Sequence, residues 1–237
     1  MALEEKEYKT VSLLTGPEGG LEMREVEQAK DAGFQICTLG SRILRCETAP
    51  LCALSAIMYA TGEYLLLLNN DTQVITMNWL EAMLMYAQRA DVGAVGAKLY
   101  YGDHTIQHAG IVLGLGAHRT AGHTHYKINH DNLGYMGRLC YAQNVSAVTG
   151  ACLMVRRSVF EELGGLDESF KIALNDVDFC LRLREKGYLN VFTPFAELYH
   201  FESASRGIDI QDEKKAKRYE EEAEHFRTKW KEILEKG

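Results

Sequence analysis

Residues 62–72 read GEYLLLLNNDT, four consecutive leucines at 65–68 that run straight into Asn69, Asn70 and Asp71. A short unbroken apolar run bounded by turn-forming residues is the pattern of a strand buried on both faces, in a mostly parallel sheet with helices on either side. The polar triplet then falls at the carboxyl end of that strand. Ligands of open α/β sheets bind at this end, where a carboxylate and two amides can meet a hard cation and a phosphate. Asn and Asp also favour turns in their own right, so the triplet taken alone reads first as a turn. The chain on either side has to decide between the two.

With 237 residues the chain is long enough for one large α/β domain or two small ones. A hydrophobic fraction of 46% and a charged fraction of 25% are those of an ordinary soluble globular protein. The formal net charge of -7 weighs against a nucleic-acid-binding surface. No apolar run approaches the length that spans a bilayer, and the opening MALEEKEYK is too charged for a signal peptide. The expected location is therefore cytoplasmic, with no membrane span. Cys37, Cys46, Cys52, Cys140, Cys152 and Cys180 are scattered and form no CxxC pair, which fits reduced, buried thiols better than a zinc site or a disulfide framework.

Before the leucine run the chain reads strand, loop, helix, strand, helix. Residues 10–15 (TVSLLT) suit a strand, residues 22–32 a helix stopped by Gly33, residues 34–39 a second strand and residues 47–60 a second helix. The GPEGG loop at 16–20 would let backbone N–H groups approach an anionic or polar ligand, although such a loop alone is more often a tight turn. LLTGPEGG, with EVEQAKDAGF, LGSRILRCETAP and ALSAI after it, resembles the C-terminal segment of the ribosomal RNA uridine methyltransferases of the knotted SPOUT class. In that family these segments form the knot that holds S-adenosylmethionine. The resemblance implies a cofactor pocket lined by Gly16, Glu18, Gly19, Leu39, Arg42, Ile43, Leu44 and Arg45. It covers about the first quarter of the chain, without the family's RNA-binding domain or the first half of its methyltransferase domain, so little turnover is expected from it. SPOUT enzymes pair through the knotted region, which leaves the oligomeric state open.

From Gly62 onward the resemblance changes. LLLLNNDT, GAVGAKLYY, IQHAGIVLGLG, NVSAVTGACLMVRRSVFEELGGLDE, NDVDFCLRLREKGY and TPFAELYHFESASRG together resemble family 2 glycosyltransferases of the GT-A fold, in particular the rhamnosyltransferase-like enzymes of surface-polysaccharide assembly. The implied architecture is α/β, a mostly parallel sheet flanked by helices and related to the Rossmann fold. That family's own opening strand, helix and strand hold the base and ribose of the donor. Here a methyltransferase-like βαβα unit, residues 1–61, stands in their place, and right-handed crossover topology would let one replace the other. Residues 1–61 and 62–237 are expected to pack as one continuous, hybrid domain.

By the glycosyltransferase resemblance, the DxD-type motif maps onto Asn69, Asn70 and Asp71. Asp71 would ligate a divalent metal, while the neutral amide of Asn69 replaces the usual first carboxylate. His200, in LYHFES, matches the family histidine that faces the metal. Oxygen ligands and a diphosphate suit Mg²⁺ or Mn²⁺, and one imidazole tilts the preference toward Mn²⁺. Asp176, the second position of NDVD at 175–178, corresponds to the general base, with Asn69, Asn70, Gly150, Ala151 and Asn175 at the donor and acceptor. The NDVD segment also opens a helix ending at Gly187, where Asn and Asp satisfy free N–H groups, and the two roles are compatible. Asp178 faces another side of that helix and is expected to pair with Arg182 or Arg184. Cys152 has no expected nucleophilic role.

His118, His123, His125 and His130 share one segment, and in HTH two imidazoles two residues apart could bind a metal from one strand face. No cysteine or carboxylate cluster completes a zinc set, so the segment reads as a polar flap near the acceptor. Residues 212–236 form a helix by periodicity, with Tyr219, Phe226, Trp230 and Ile233 as a stripe against the domain. The function implied is transfer of a sugar from a UDP- or dTDP-linked donor to a polysaccharide or glycan acceptor. The alternatives are an S-adenosylmethionine-binding RNA methyltransferase fragment or a catalytically silent chimera.

Overall fold

The computed structural model describes residues 21–34, 62–116, 118–171, 173–201 and 213–236. The chain divides into two compact units, Met1–Gly62 and Glu63–Gly237. In the first, α1 (Met23–Asp31) opens with a capping box in which the Glu22 N–H donates to the Glu25 carboxylate at 2.8 Å. Gly33, at φ 90°, ends it in the left-handed conformation that glycine adopts freely, and the Phe34 N–H donates back to the Ala29 carbonyl. This is the helix and stop read from the sequence. The strand at 10–15, all but Phe34 of the strand at 34–39, the helix at 47–60 and the whole proposed cofactor loop lie outside the described residues: Gly16, Glu18, Gly19, Leu39, Arg42, Ile43, Leu44 and Arg45.

The second unit is built on a mixed seven-stranded sheet. Its strands are β1 (Tyr64–Leu68), β2 (Thr72–Val74), β3 (Val92–Tyr100), β4 (Ile106–His108), β7 (Gln143–Val145), β8 (Cys152–Arg156) and β9 (Leu189–His200). The order is β1-β8-β3-β9-β2, with β4 added to β3 and β7 to β9. The long β3–β9 ladder is parallel, and the other described ladders of this sheet are antiparallel. β5 (Ile111–Leu113) and β6 (Ala121–His123) form a separate hairpin.

Alternation along β3 and β8 sends side chains to two apolar layers. Val95, Ala97, Cys152 and Met154 pack with Ala82, Met83 and Ala87 of α2 (Trp79–Ala87). On the opposite face Ala94, Leu153 and Val155 pack with Val177, Phe179, Leu181 and Leu183 of α4 (Asn175–Glu185), and with Val159 of α3 (Arg157–Glu162). Gly96 is required here, because a Cβ would lie 2.5 Å from Cβ of Val148.

The strand buried on both faces is β3, every residue of which is buried. β1 corrects the expectation for the leucine run: Leu65 is buried, Leu66 and Leu67 are partly so, and Leu68 is 43% exposed. The reason is its position, since among the described residues β1 has a ladder with β8 alone.

The C-terminal segment is two helices, α5 (Glu213–Lys229) and α6 (Lys231–Lys236), broken at Trp230. The stripe packs on the domain as read: Phe226 and Trp230 are buried, with Tyr219 and Ile233 partly buried beside them. The break carries the Trp230 indole N–H to Oδ1 of the fully buried Asp178 at 2.9 Å. Lys229 Nζ lies 2.6 Å from the same oxygen, and Arg182 Nε donates to Oδ2 at 2.8 Å. Arg182 is thus the partner foreseen for Asp178, and it also donates to the carbonyls of Leu163 and Gly165.

Cys152 and Cys180 are buried, and burial pushes both thiols up to about 12, which removes any nucleophilic thiolate. Cys140 is exposed, against the expectation of a buried thiol. Among the described residues no helix is long and apolar enough to cross a membrane.

Candidate active site

The carboxyl end of β1, the end of β9 and the start of α4 meet through short contacts between the residues singled out in the sequence. Antiparallel pairing of β2 with β9 sets Thr72 opposite His200, and the Phe201 N–H donates to the Asp71 carbonyl at 2.9 Å. His200 Nε2 consequently lies 3.2 Å from Asp71 Oδ1 and 3.1 Å from Asn69 Nδ2. The backbone N–H of Asn69 donates to the Ala151 carbonyl at 2.9 Å. One residue earlier, the Gly150 N–H donates to Asp176 Oδ2 at 2.8 Å. Asn69, Asp71, His200, Gly150, Ala151 and Asp176 therefore form one continuous group. Asn70 is exposed at its edge.

Asp176 is placed by the local chemistry of the helix start. Its Oδ1 accepts the Val177 N–H, and the Asn175 side chain accepts the Asp176 N–H, each at 2.8 Å. Both carboxylate oxygens keep lone pairs that can accept an incoming hydroxyl. Leu174 precedes them at φ 63°, a left-handed conformation that costs a branched side chain on the order of 1 kcal/mol or more. That strain is held from outside: buried Glu222 of α5 accepts the N–H groups of Lys171 and Ala173 at 3.1 and 2.8 Å. Glu222 thus lies outside the aromatic stripe of α5 and is nonetheless buried against the domain.

The histidines of the 118–130 segment do not share a strand face. β6 ends at His123, and His125 adopts φ 57° beyond it, so HTH does not present two imidazoles from one strand face. His118 contacts Glu220 at 2.5 Å, and His130 contacts Asp131 at 3.0 Å. Among the described residues no three His, Cys, Asp or Glu side chains converge as a metal site.

Two residues of β4 were missed as functional candidates. Gln107 Oε1 lies 2.7 Å from His200 Nδ1. His108 is wholly buried, its Nε2 accepting the Gly110 N–H at 3.3 Å and its Nδ1 lying 2.9 Å from Nδ1 of His123. Polar residues between Ile106 and Ala109 in a short apolar stretch were the available signal.

Burial, reinforced by His123 and His200, pushes the His108 imidazole well below its usual range, so it stays neutral in the fold. A depressed folded pKa means that the unfolded chain takes up this proton first. Its contribution to stability is complete above pH 6.5 and is lost as pH falls below it, at up to about 1.4 kcal/mol per pH unit. Urea midpoints at pH 7, 6 and 5 should show that slope, and His108→Asn should flatten it. An equally steep slope in the variant would remove His108 as the cause.

A metal can be tested against this group of residues on its own terms. Asp71 Oδ1 is buried without a hydrogen-bond partner, and it faces an imidazole nitrogen. Two electron-rich atoms held this close fit a cation shared between them. Among the described residues Asp71 and His200 are the two ligands so placed, which suits a hard ion that takes its remaining oxygens from phosphate and water.

The strand ends thus bring a carboxylate and an imidazole together, with a second carboxylate at a facing helix start. The family model described as "Glycosyltransferase like family 2" matches residues 31–220, and the chain belongs to that family. Residues 1–58 match the family model of an RNA methyltransferase domain. The chain is 49% identical to Uncharacterized protein y4gI of Sinorhizobium fredii over 178 residues, 75% of this chain and 19% of that protein. It is 43% identical to O-antigen biosynthesis protein RfbC of Myxococcus xanthus over 155 residues, 65% of this chain and 12% of that one. Over 49 residues it is 57% identical to ribosomal RNA small subunit methyltransferase E of Bacillus subtilis, 21% of this chain and 19% of that enzyme. The chain thus spans less than a fifth of y4gI and about an eighth of RfbC in length.

Proposed function

We propose that the chain carries the metal-diphosphate and catalytic half of a glycosyltransferase site, using a UDP- or dTDP-linked sugar and a glycan acceptor. The observation that carries this reading is the link from Asp71 and His200 through Asn69 and Ala151 to Gly150 and Asp176. Asp71 and His200 would hold Mn²⁺ or Mg²⁺, which when bound neutralises the leaving diphosphate. Asp176 takes the proton of the attacking acceptor hydroxyl, and its contacts to Gly150 and Val177 hold the carboxylate in place. Gly150 leaves space beside it, since a Cβ there would already lie 3.4 Å from Cβ of Asp176. Asn69, Asn70 and Asn175 supply amides around donor and acceptor. The domain assignment that accompanies this reading is a methyltransferase-like segment at 1–61 and the transferase segment at 62–237.

Thermal melting of the chain with Mn²⁺ plus UDP, with Mn²⁺ plus dTDP and with S-adenosylmethionine tests the proposal. At a hundred times its dissociation constant a ligand of the native state adds about 2.7 kcal/mol. The expected result is a metal-dependent shift with one nucleotide that Asp71→Ala abolishes. A shift with S-adenosylmethionine alone would favour the second reading, a cofactor-binding methyltransferase fragment, which the match at residues 1–58 supports. No shift with any of the three would leave a catalytically silent chimera.

A further inference from the structure

We infer that Gln107 is a positioning residue that fixes the tautomer of His200 and thereby aims the Nε2 lone pair at the metal position. The inference rests on the metal reading above and adds a residue that this reading does not include. An imidazole with one ring proton can act as a ligand only through the other nitrogen. At His200 the two nitrogens meet groups of opposite kind. Nδ1 lies 2.7 Å from Gln107 Oε1, an acceptor, while Nε2 lies 3.1 Å from Asn69 Nδ2, a donor. Nδ1 therefore carries the proton and donates it to Gln107, and Nε2 accepts.

The same nitrogen faces Asp71 Oδ1 at 3.2 Å. With Nε2 acting as acceptor, that carboxylate oxygen receives no hydrogen from the ring, in agreement with its lack of any partner. The opposite tautomer would place a hydrogen on Nε2, satisfy Asp71, and block the imidazole as a ligand. Gln107 stands between these outcomes because it supplies an acceptor oxygen to Nδ1. It is well placed to hold that role: β4 pairs with β3 through Leu99–His108 and Tyr100–Ile106, and Gln107 is buried between those two pairs. Its Nε2 also donates to the His200 carbonyl at 3.5 Å, so the same side chain holds the histidine backbone. Outer partners of this kind raise ligand basicity and fix ring orientation, and losing one typically weakens metal affinity by about 10–100-fold.

Two measurements on the full chain test this. Nitrogen chemical shifts of ¹⁵N-labelled histidine in the metal-free chain report the His200 tautomer directly, with no variant needed. A titration of Mn²⁺ by electron paramagnetic resonance, with UDP or dTDP present, reports affinity. The expected results are an Nδ1–H tautomer, a loss of about 10–100-fold in Mn²⁺ affinity for Gln107→Met, and affinity retained in Gln107→Glu, which keeps an acceptor oxygen. An Nε2–H tautomer in the unaltered chain overturns the inference, as does unchanged Mn²⁺ affinity in a folded Gln107→Met. Failure of the unaltered chain to bind Mn²⁺ at all, with the Nδ1–H tautomer present, overturns the metal reading and with it the purpose assigned to Gln107.

Discussion

Asp176→Asn is expected to lower sugar transfer by about 10²–10⁴-fold, the usual loss when a general base is removed. The amide keeps the size of the carboxylate but cannot take the acceptor proton. It also cannot accept both backbone N–H groups, from Gly150 and from Val177, that the carboxylate oxygens accept. One N–H group then faces an NH₂, at a cost of about 1–3 kcal/mol in stability. The two effects separate in measurement. Stabilisation by Mn²⁺ plus nucleotide should persist in Asp176→Asn, because Asp71 and His200 are untouched, while product formation falls. Transfer near the unaltered rate would rule Asp176 out as the base.

Asp178, two residues along the same helix, should show the reverse profile: a large loss of stability unconnected with donor binding. Removing one partner of a buried ion pair typically costs about 3–5 kcal/mol. In Asp178→Ala the Trp230 N–H loses its acceptor, and Arg182 and Lys229 each lose one carboxylate partner. The lower end of that range is expected, since Arg182 keeps two carbonyl partners and Lys229 keeps Asp167 Oδ2 at 2.8 Å. Asp178→Asn should lose less, because it retains an oxygen for one of the donors. Urea denaturation of the three chains measures this, and a loss below about 1 kcal/mol in Asp178→Ala would show the network to be idle.

These paired carboxylates also show what the sequence could and could not disclose. The helix from Asn175 to Glu185 and the stop at Gly187 follow from local periodicity and turn chemistry. The coming together of Asp71 with His200 followed from the family resemblance, not from spacing. What stayed hidden depends on which strands are neighbours. An unbroken run of leucines cannot report how many ladders its strand joins, so β1 read as more buried than it is. The fully buried β3 is built largely of Val, Gly and Ala, which packs closely without announcing itself. In the HTH segment a single left-handed residue, His125, cancels the alternation on which a shared face depends. Gln107 and His108 could not be assigned roles, because their partners lie on distant parts of the chain.

The pairing of β9 has a bearing on how the chain is made. β9 is the last strand of the described sheet, and it supplies ladders to β2, β3 and β7 at once. About a hundred residues separate the end of β3 from the end of β9, which at ribosomal rates of about 5–20 residues per second means roughly 5–20 seconds of synthesis. Throughout that interval one edge of VGAVGAKLY, a segment with a single charge, waits without its parallel partner. Parallel pairing between such distant segments is intrinsically slow as well. A nascent chain halted before Leu189 is therefore an adhesive intermediate, and translation speed and chaperone supply should govern the yield of folded protein more than its final stability does.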